Sequence, residues 1–209
     1  MSERNIMGIP EPTIRRLPLY LPFLRKLAES GAVNISCAEI AKEFCFDPTQ
    51  VRKDMAATGV AGTARVGFEI KLLIAAIELT LGWNTLTRAV IVGVGNLGTA
   101  LMAYGHFQGL DIVAAFDINT SKIGWELEGK KIFHVEKLPY LVKKMNVDVG
   151  ILAVPSVAAQ EAVDLMVEGG IKGIWNFTLD VIKVPAGVVV EHVRLSTSLA
   201  VLTSKLKSI

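Results

Sequence analysis

The stretch Arg88-Ala89-Val90-Ile91-Val92-Gly93-Val94-Gly95-Asn96-Leu97-Gly98-Thr99-Ala100 constrains this chain more than any other. A short apolar run rich in β-branched residues, suited to a buried parallel strand, leads into Gly93-x-Gly95-x-x-Gly98. The helix-forming Thr99-Ala100-Leu101-Met102-Ala103-Tyr104 comes next. A pyrophosphate needs this layout. Gly93 permits the tight turn, Gly95 has no Cβ to hold the phosphates off, and Gly98 lets the helix pack close to the strand. The helix N-terminus aims its N–H groups at the anion, so Val94, Asn96 and Leu97 are expected in the same contact. Three glycines alone are often only a turn. Here a second apolar run, Ile112-Val113-Ala114-Ala115-Phe116, ends in Asp117. That carboxylate lies about 20 residues past the glycines, where it can hold a ribose 2′-OH. The parts together predict a dinucleotide-binding βαβ unit. The competing reading leaves Asp117 as the cap of the next turn.

The chain beyond Asp117 keeps the alternation. Strands are expected at Lys130–Val135, Val147–Val154, Ile171–Trp175 and Val188–Val190, and helices at Glu136–Met145 and Ser156–Glu168. Strands alternating with helices predict a parallel sheet with right-handed crossovers. Val154-Pro155 and Phe177 fall at carboxyl ends of strands, where an open sheet binds ligands. From Leu195 to Ile209, Leu195, Leu199, Leu202 and Leu206 are spaced four, three and four. This predicts an amphipathic helix that covers its own domain or packs on a partner subunit.

The first 84 residues show no such alternation. Ile14, Leu17, Leu21, Leu24 and Leu27 mark an amphipathic helix, which Pro18 and Pro22 are expected to kink or split. Ser36-x-x-Glu39 is a capping box for a short helix. Cys45-Phe46 makes a turn, and Asp47-Pro48-Thr49-Gln50 opens a second helix with an N-cap and a first-turn proline. Two short helices across a tight turn form a helix-turn-helix candidate. Val51 and Met55 should face inward, leaving Thr49, Gln50, Arg52 and Lys53 where a recognition helix makes base and phosphate contacts. An ordinary solvated face fits this stretch equally well. Thr58–Phe68, with three glycines, predicts a hairpin wing with Arg65 near its tip. Phe68–Leu81 reads as a strongly apolar helix, and Gly82-Trp83-Asn84-Thr85 as a linker.

Residues 1–84 hold ten basic and nine acidic side chains, so DNA binding would rest on the placement of Arg15, Arg16, Arg52, Lys53 and Arg65 rather than on bulk charge. The whole chain of 209 residues carries a formal net charge of +2, and its 51% hydrophobic content suits a sizeable core. Cys37 and Cys45 lack metal-ligand spacing and are expected as reduced thiols of a cytoplasmic protein. No apolar run is long enough for a membrane span or shaped like a signal peptide. His106, His134 and His192 form no recognisable catalytic constellation, so no catalytic or metal-ligating residue is assigned. An oxidoreductase with an N-terminal dimerisation domain is the alternative function, but only the tail remains for a substrate domain. A CoA-binding type of Rossmann domain is disfavoured by Asp117.

The assembled pieces resemble the Rex family of redox-sensing transcriptional repressors. The resemblance runs from about Ile9 to Leu206. It is carried by Thr13-Ile14-Arg15-Arg16-Leu17-Pro18-Leu19-Tyr20, Val51-Arg52-Lys53-Asp54, the glycine stretch, Ala114-Ala115-Phe116-Asp117, Val154-Pro155 and Asn176-Phe177. It implies an α/β chain in three parts. Residues 1–84 would be a winged-helix domain, 85–192 a Rossmann domain for NADH and NAD+, and 193–209 a C-terminal helix exchanged between subunits of a homodimer. It further implies binding to palindromic operator DNA, release by NADH, and an aromatic side chain near the nicotinamide at Tyr104. Two departures stand out. The family's aromatic residues after Lys53-Asp54 are replaced by Met55-Ala56-Ala57-Thr58, with Arg65 as the wing's one basic residue. Its acidic residue before the last helix is Arg194, and that acid can pair in the family with the arginine matching Arg16.

Overall fold

A computed structural model describes residues 8–105 and 107–207, so His106 lies outside the described residues. The chain divides into two compact units that part between Thr85 and Leu86.

The first unit begins with α1 (Glu11–Glu29), which is one helix with Pro18 and Pro22 inside it, although the prolines predict a kink or two short helices. Each proline removes one backbone hydrogen bond. The helix continues because Leu17, Tyr20, Leu21 and Leu24, on both sides of the prolines, are buried in one core. Truncating Leu17 or Leu24 to alanine is expected to cost about 2–5 kcal/mol. β1 (Asn34–Ile35) is next, then α2 (Cys37–Phe44), whose Ser36–Glu39 capping box forms in full. Cys45 ends α2 in the left-handed conformation. Asp47 accepts from the Thr49 and Gln50 N–H groups and starts α3 (Pro48–Ala57). Val51 and Met55 are fully buried, as their spacing requires.

The wing is smaller than a two-stranded hairpin. Thr63 and Gly67 exchange backbone hydrogen bonds at 2.8 and 2.9 Å, closing a tight loop with Arg65 at its tip. The strand that leaves the loop, β2 (Phe68–Glu69), pairs antiparallel with β1. Phe68 and Glu69 are therefore extended, and α4 begins at Ile70 and runs to Thr80. Gly67 is required here: a Cβ would collide with the Ile35 carbonyl. α4 buries Ile70, Leu73 and Ile77 and leaves Leu72 and Leu79 exposed.

The second unit is a seven-stranded sheet in the order β5-β6-β4-β3-β7-β8-β9. Its strands are β3 (Thr87–Val92), β4 (Leu110–Asp117), β5 (Glu126–Leu127), β6 (Lys130–His134), β7 (Val149–Leu152), β8 (Gly173–Asn176) and β9 (Val189–His192). All pairings are parallel except that of β5 with β6, a short edge hairpin that the alternating pattern does not predict. α5 (Asn96–Tyr104) links β3 to β4, α6 (Leu138–Met145) links β6 to β7, and α7 (Ala159–Gly169) links β7 to β8. One buried cluster gathers Val90, Val92, Ala114 and Phe116 with the side chains of α6 and α7. Another gathers Ile91, Ala115 and Ile151 with Met102 of α5. Alternate residues of each central strand thus serve opposite faces. The order reverses at β3, flanked by β4 and β7, which fixes where a ligand crevice can open. α8 (Leu195–Leu206) closes the chain, with Leu199, Leu202 and Leu206 exposed.

Candidate dinucleotide cleft and nucleic-acid interface

A cleft of about 340 Å³ opens at the carboxyl ends of β3, β4 and β7. It brings together Gly93, Gly95, Asp117, Val154 and Pro155, which lie far apart in sequence. Gly93 turns the chain at a positive φ of 99°, and Gly98 packs so close that a Cβ there would overlap the Gly93 carbonyl. Over Gly95 there is open space. Gly95 is the N-cap of α5, so the first N–H groups of that helix, from Asn96 onward, face the opening.

Asp117 is bound into this loop. Its carboxylate accepts from the Val94 N–H at 2.9 Å and from the Asn119 N–H at 2.8 Å. The Lys122 ammonium lies 3.3 Å from the same carboxylate and donates to the Val94 carbonyl at 2.7 Å. Burial pushes the Asp117 pKa up, but the two backbone donors and Lys122 outweigh it and hold the carboxyl below its ordinary value. It is therefore ionised at neutral pH. A carboxylate offers about four lone-pair positions, and three are used, which leaves acceptor capacity for a sugar hydroxyl.

Sequence reasoning misses the rest of the lining. Lys122, Ile118 and Asn119 come from the turn after β4, Val135 from the turn after β6, and Ala158 and Glu161 from the start of α7. The only available signal is their position just beyond strand ends. Of the expected residues, Val94, Asn96, Leu97 and Gly98 lie outside this lining, and so do Tyr104 and Phe177. The last two end a chain of aromatic rings, Tyr104–Phe107–Trp175–Phe177, with centroids 5.0, 5.3 and 4.7 Å apart. Beside it, fully buried Asn176 holds the Thr178 N–H and hydroxyl at 2.8 Å each and lies 3.0 Å from His192 Nδ1.

In the first unit, Thr49, Arg52 and Lys53 are exposed on α3, with Gln50 half-buried beside them. Arg65 is exposed at the loop tip with φ 66°. Arg15 is exposed and paired with Glu11 at 2.7 Å. Arg16 is placed differently from a solvent-facing phosphate contact. Its Nε and Nη2 donate to the two oxygens of Asp54 at 2.7 and 2.6 Å. Asp54 has no exposed surface, and without a cation its charge would be uncompensated. Tyr20 and Thr13 hydroxyls complete its shell at 2.7 and 2.9 Å. Burial raises the Asp54 pKa, but the donors from Arg16, Tyr20 and Thr13 overcome this and lower it overall. The Asp54 hydrogen bond in turn raises the pKa of Arg16, and burial raises that of Tyr20.

A winged helix-turn-helix in one unit and a glycine-loop nucleotide fold in the other define a DNA-binding regulator that carries its own ligand domain. Family models agree in outline: one described as a CoA binding domain matches residues 84–180, and one for a putative DNA-binding protein N-terminus matches residues 8–56. The chain is 42% identical to the redox-sensing transcriptional repressor Rex of Bacteroides fragilis, over 99% of this chain and 94% of that protein. Rex of Treponema denticola is 45% identical, over 91% and 92%. Among solved structures, RSP, a Rex-family repressor, in complex with β-NAD+ and operator DNA superposes with a TM-score of 0.90. It is 32% identical, and 96% of this chain and 93% of that chain are covered. RSP in complex with β-NADH gives 0.86 at 31% identity, covering 96% and 95%. The chain belongs to the Rex family of redox-sensing transcriptional repressors and is a regulator rather than an enzyme. Among the described residues, no helix is long and apolar enough to cross a membrane.

Proposed function

We propose that this chain represses transcription in the cytoplasm as a homodimer on palindromic operator DNA, and that NADH bound at Gly93–Asp117 releases it. Residues 1–84 would hold DNA, 85–192 the dinucleotide, and 193–209 the partner subunit. The observation that carries this reading is the Asp117 carboxylate fastened to the Val94 N–H, which fixes a sugar-hydroxyl acceptor beside the glycine loop.

Each residue has a physical task. The α5 N-terminus and the backbone of Val94, Asn96, Leu97 and Gly98 would hold the pyrophosphate over the opening at Gly95. Asp117 would accept from the adenosine ribose, with Val154 and Pro155 along the opposite wall. Tyr104 and Phe177 would flank the nicotinamide end. When bound, the cofactor supplies a ring that is neutral in NADH and cationic in NAD+, and an apolar surround that excludes water favours the neutral form. Arg52 and Lys53 would meet phosphates and bases, Thr49 and Gln50 base edges, and Arg65 and Arg15 the flanking backbone or minor groove. Arg16 would act from behind α3 through Asp54. With Arg194 basic, the pairing that the family can make between these two positions is not open to this chain, and within the first unit Arg16 is held by Asp54.

Release is a population shift: a ligand that favours the conformation unable to hold DNA lowers operator affinity by its differential affinity. Typical coupling is about 1–3 kcal/mol. The test is a gel shift on a palindromic operator. NADH should dissociate the complex, and NAD+ should compete with NADH without doing so. A complex indifferent to NADH at saturation would refute the reading.

A further inference from the structure

We propose that Lys122 is a specificity-determining residue of the dinucleotide cleft, a cation placed to take the 2′-phosphate of NADPH, so that the preference for NADH rests on the Asp117 carboxylate. The proposal rests on the cleft being the NAD(H) site.

Lys122 is fixed from both sides in sequence. Before it, Asn119 pins the turn after β4. The Asn119 N–H donates to Asp117 at 2.8 Å, and its side-chain oxygen accepts from the Ser121 N–H at 3.0 Å and the Ser121 hydroxyl at 2.8 Å. After it, Ile123 packs against the core cluster of Ile91 and Ala115. The lysine side chain returns to the strand end. There its ammonium donates to the Val94 carbonyl at 2.7 Å and meets the Asp117 carboxylate at 3.3 Å. An ammonium has three N–H donors, so one remains for a ligand. Among the described residues lining the cleft, Lys122 is the one cation, and Asp117 and Glu161 are the anions.

A dinucleotide fold tells its two cofactors apart at the adenosine ribose. A carboxylate accepts from the 2′-OH of NADH, whereas a nearby cation accommodates the 2′-phosphate of NADPH. This cleft holds both groups, 3.3 Å apart. A 2′-phosphate extends from the same ribose oxygen that Asp117 is placed to hold. Its oxygens would fall where Asp117 repels them and Lys122 attracts them. In the wild type the carboxylate wins, because Lys122 is already engaged with it and has one donor to spare. Without the carboxylate, two of the three donors are released to the phosphate, which a lysine binds as a point charge without needing fork geometry. Lys122 also braces the glycine loop through the Val94 carbonyl, an effect that both cofactors would feel alike. The ratio of their affinities therefore isolates the charge.

The test is titration calorimetry of the full-length protein with NADH, and with NADPH by displacement of NADH. The readout is the dissociation constant of NADPH divided by that of NADH. In wild type this ratio should exceed one, with NADPH still displacing NADH at saturation. Lys122→Gln keeps a donor for the Val94 carbonyl and removes the charge. It should raise the ratio by about tenfold, the scale of one charge-assisted hydrogen bond. Asp117→Ser should bring the ratio below one, and the double variant Asp117→Ser/Lys122→Gln should lose that reversal. A lysine that only braced the loop would weaken both cofactors alike and leave the ratio where it was. If Asp117→Ser does not fold, Lys122→Gln decides, since its carboxylate is intact. An unchanged ratio in Lys122→Gln would overturn the proposal. So would an Asp117→Ser variant that still prefers NADH, or one whose preference for NADPH survives the loss of Lys122. NADPH that cannot displace NADH from wild type would overturn it too. A wild type that binds neither cofactor refutes the reading of the cleft itself, and both ideas fall. If it binds NADH with a ratio indifferent to Lys122, only the specificity proposal falls.

Discussion

Asp117 and Val94 lie 23 residues apart and are joined at 2.9 Å by a backbone N–H that donates to a carboxylate. One side chain thus shapes the glycine loop and offers itself to a sugar. Asp117→Ala is expected to weaken NADH by about 1–3 kcal/mol, the range for a hydrogen bond to a charged group. The same carboxylate should repel a 2′-phosphate, so NADH should bind more tightly than NADPH. Titration calorimetry measures both, and equal affinity for the two cofactors would contradict this assignment.

Arg52 and Lys53 stand exposed on α3. Replacing either by alanine should weaken operator binding and leave NADH affinity intact. If Lys53 contacts phosphate alone, its loss should act alike on all sequences and lower the salt slope by about one. Binding isotherms across a salt series distinguish this from a base contact.

The first unit should be acid-sensitive through Asp54. Its folded pKa lies below the unfolded value of about 3.9, so its contribution to stability is complete above that value. The contribution is lost as pH falls through the folded pKa. Asp54→Asn should therefore flatten the acid limb of the stability curve. Asp54→Ala, which strands the Arg16 guanidinium, should cost about 3–5 kcal/mol at neutral pH. Denaturant midpoints from pH 7 downward give both quantities.

α8 leaves Leu199, Leu202 and Leu206 more than half exposed, which suits a helix that packs on a second subunit. Deleting residues from Leu195 onward should produce monomers or aggregates in sizing with light scattering. A well-behaved dimer after this deletion would rule out exchange of the helix.

Features that depend on near neighbours are legible in the sequence. The Ser36–Glu39 box, the Asp47 cap and the Gly93-x-Gly95-x-x-Gly98 turn are local chemistry, and each forms as its spacing requires. The features that escape a reading of the sequence depend on distant partners. Pro18 and Pro22 argue for a break in α1 until the core on both sides is known. The loop around Arg65 looks like a self-paired hairpin because nothing local indicates that β2 pairs with β1, more than thirty residues earlier. Arg16 looks like one of several basic residues near a DNA-binding motif, and its partner Asp54 is 38 positions away. Lys122 looks like a turn lysine, and only the closure of β4 beside β3 brings it to the Val94 carbonyl.

The contact between Gly98 and Gly93 also matters for genetics. There is no room for even one methyl group at position 98 without displacing the Gly93 carbonyl, so any side chain there distorts the nucleotide loop. Gly98→Ala should abolish redox response in one step, while the helix-turn-helix, in a separate unit, keeps its own core. Such an allele would encode a repressor that stays on its operators whatever the cell's reducing state. The phenotype would be a silenced regulon in which the repressor is still made and still binds DNA.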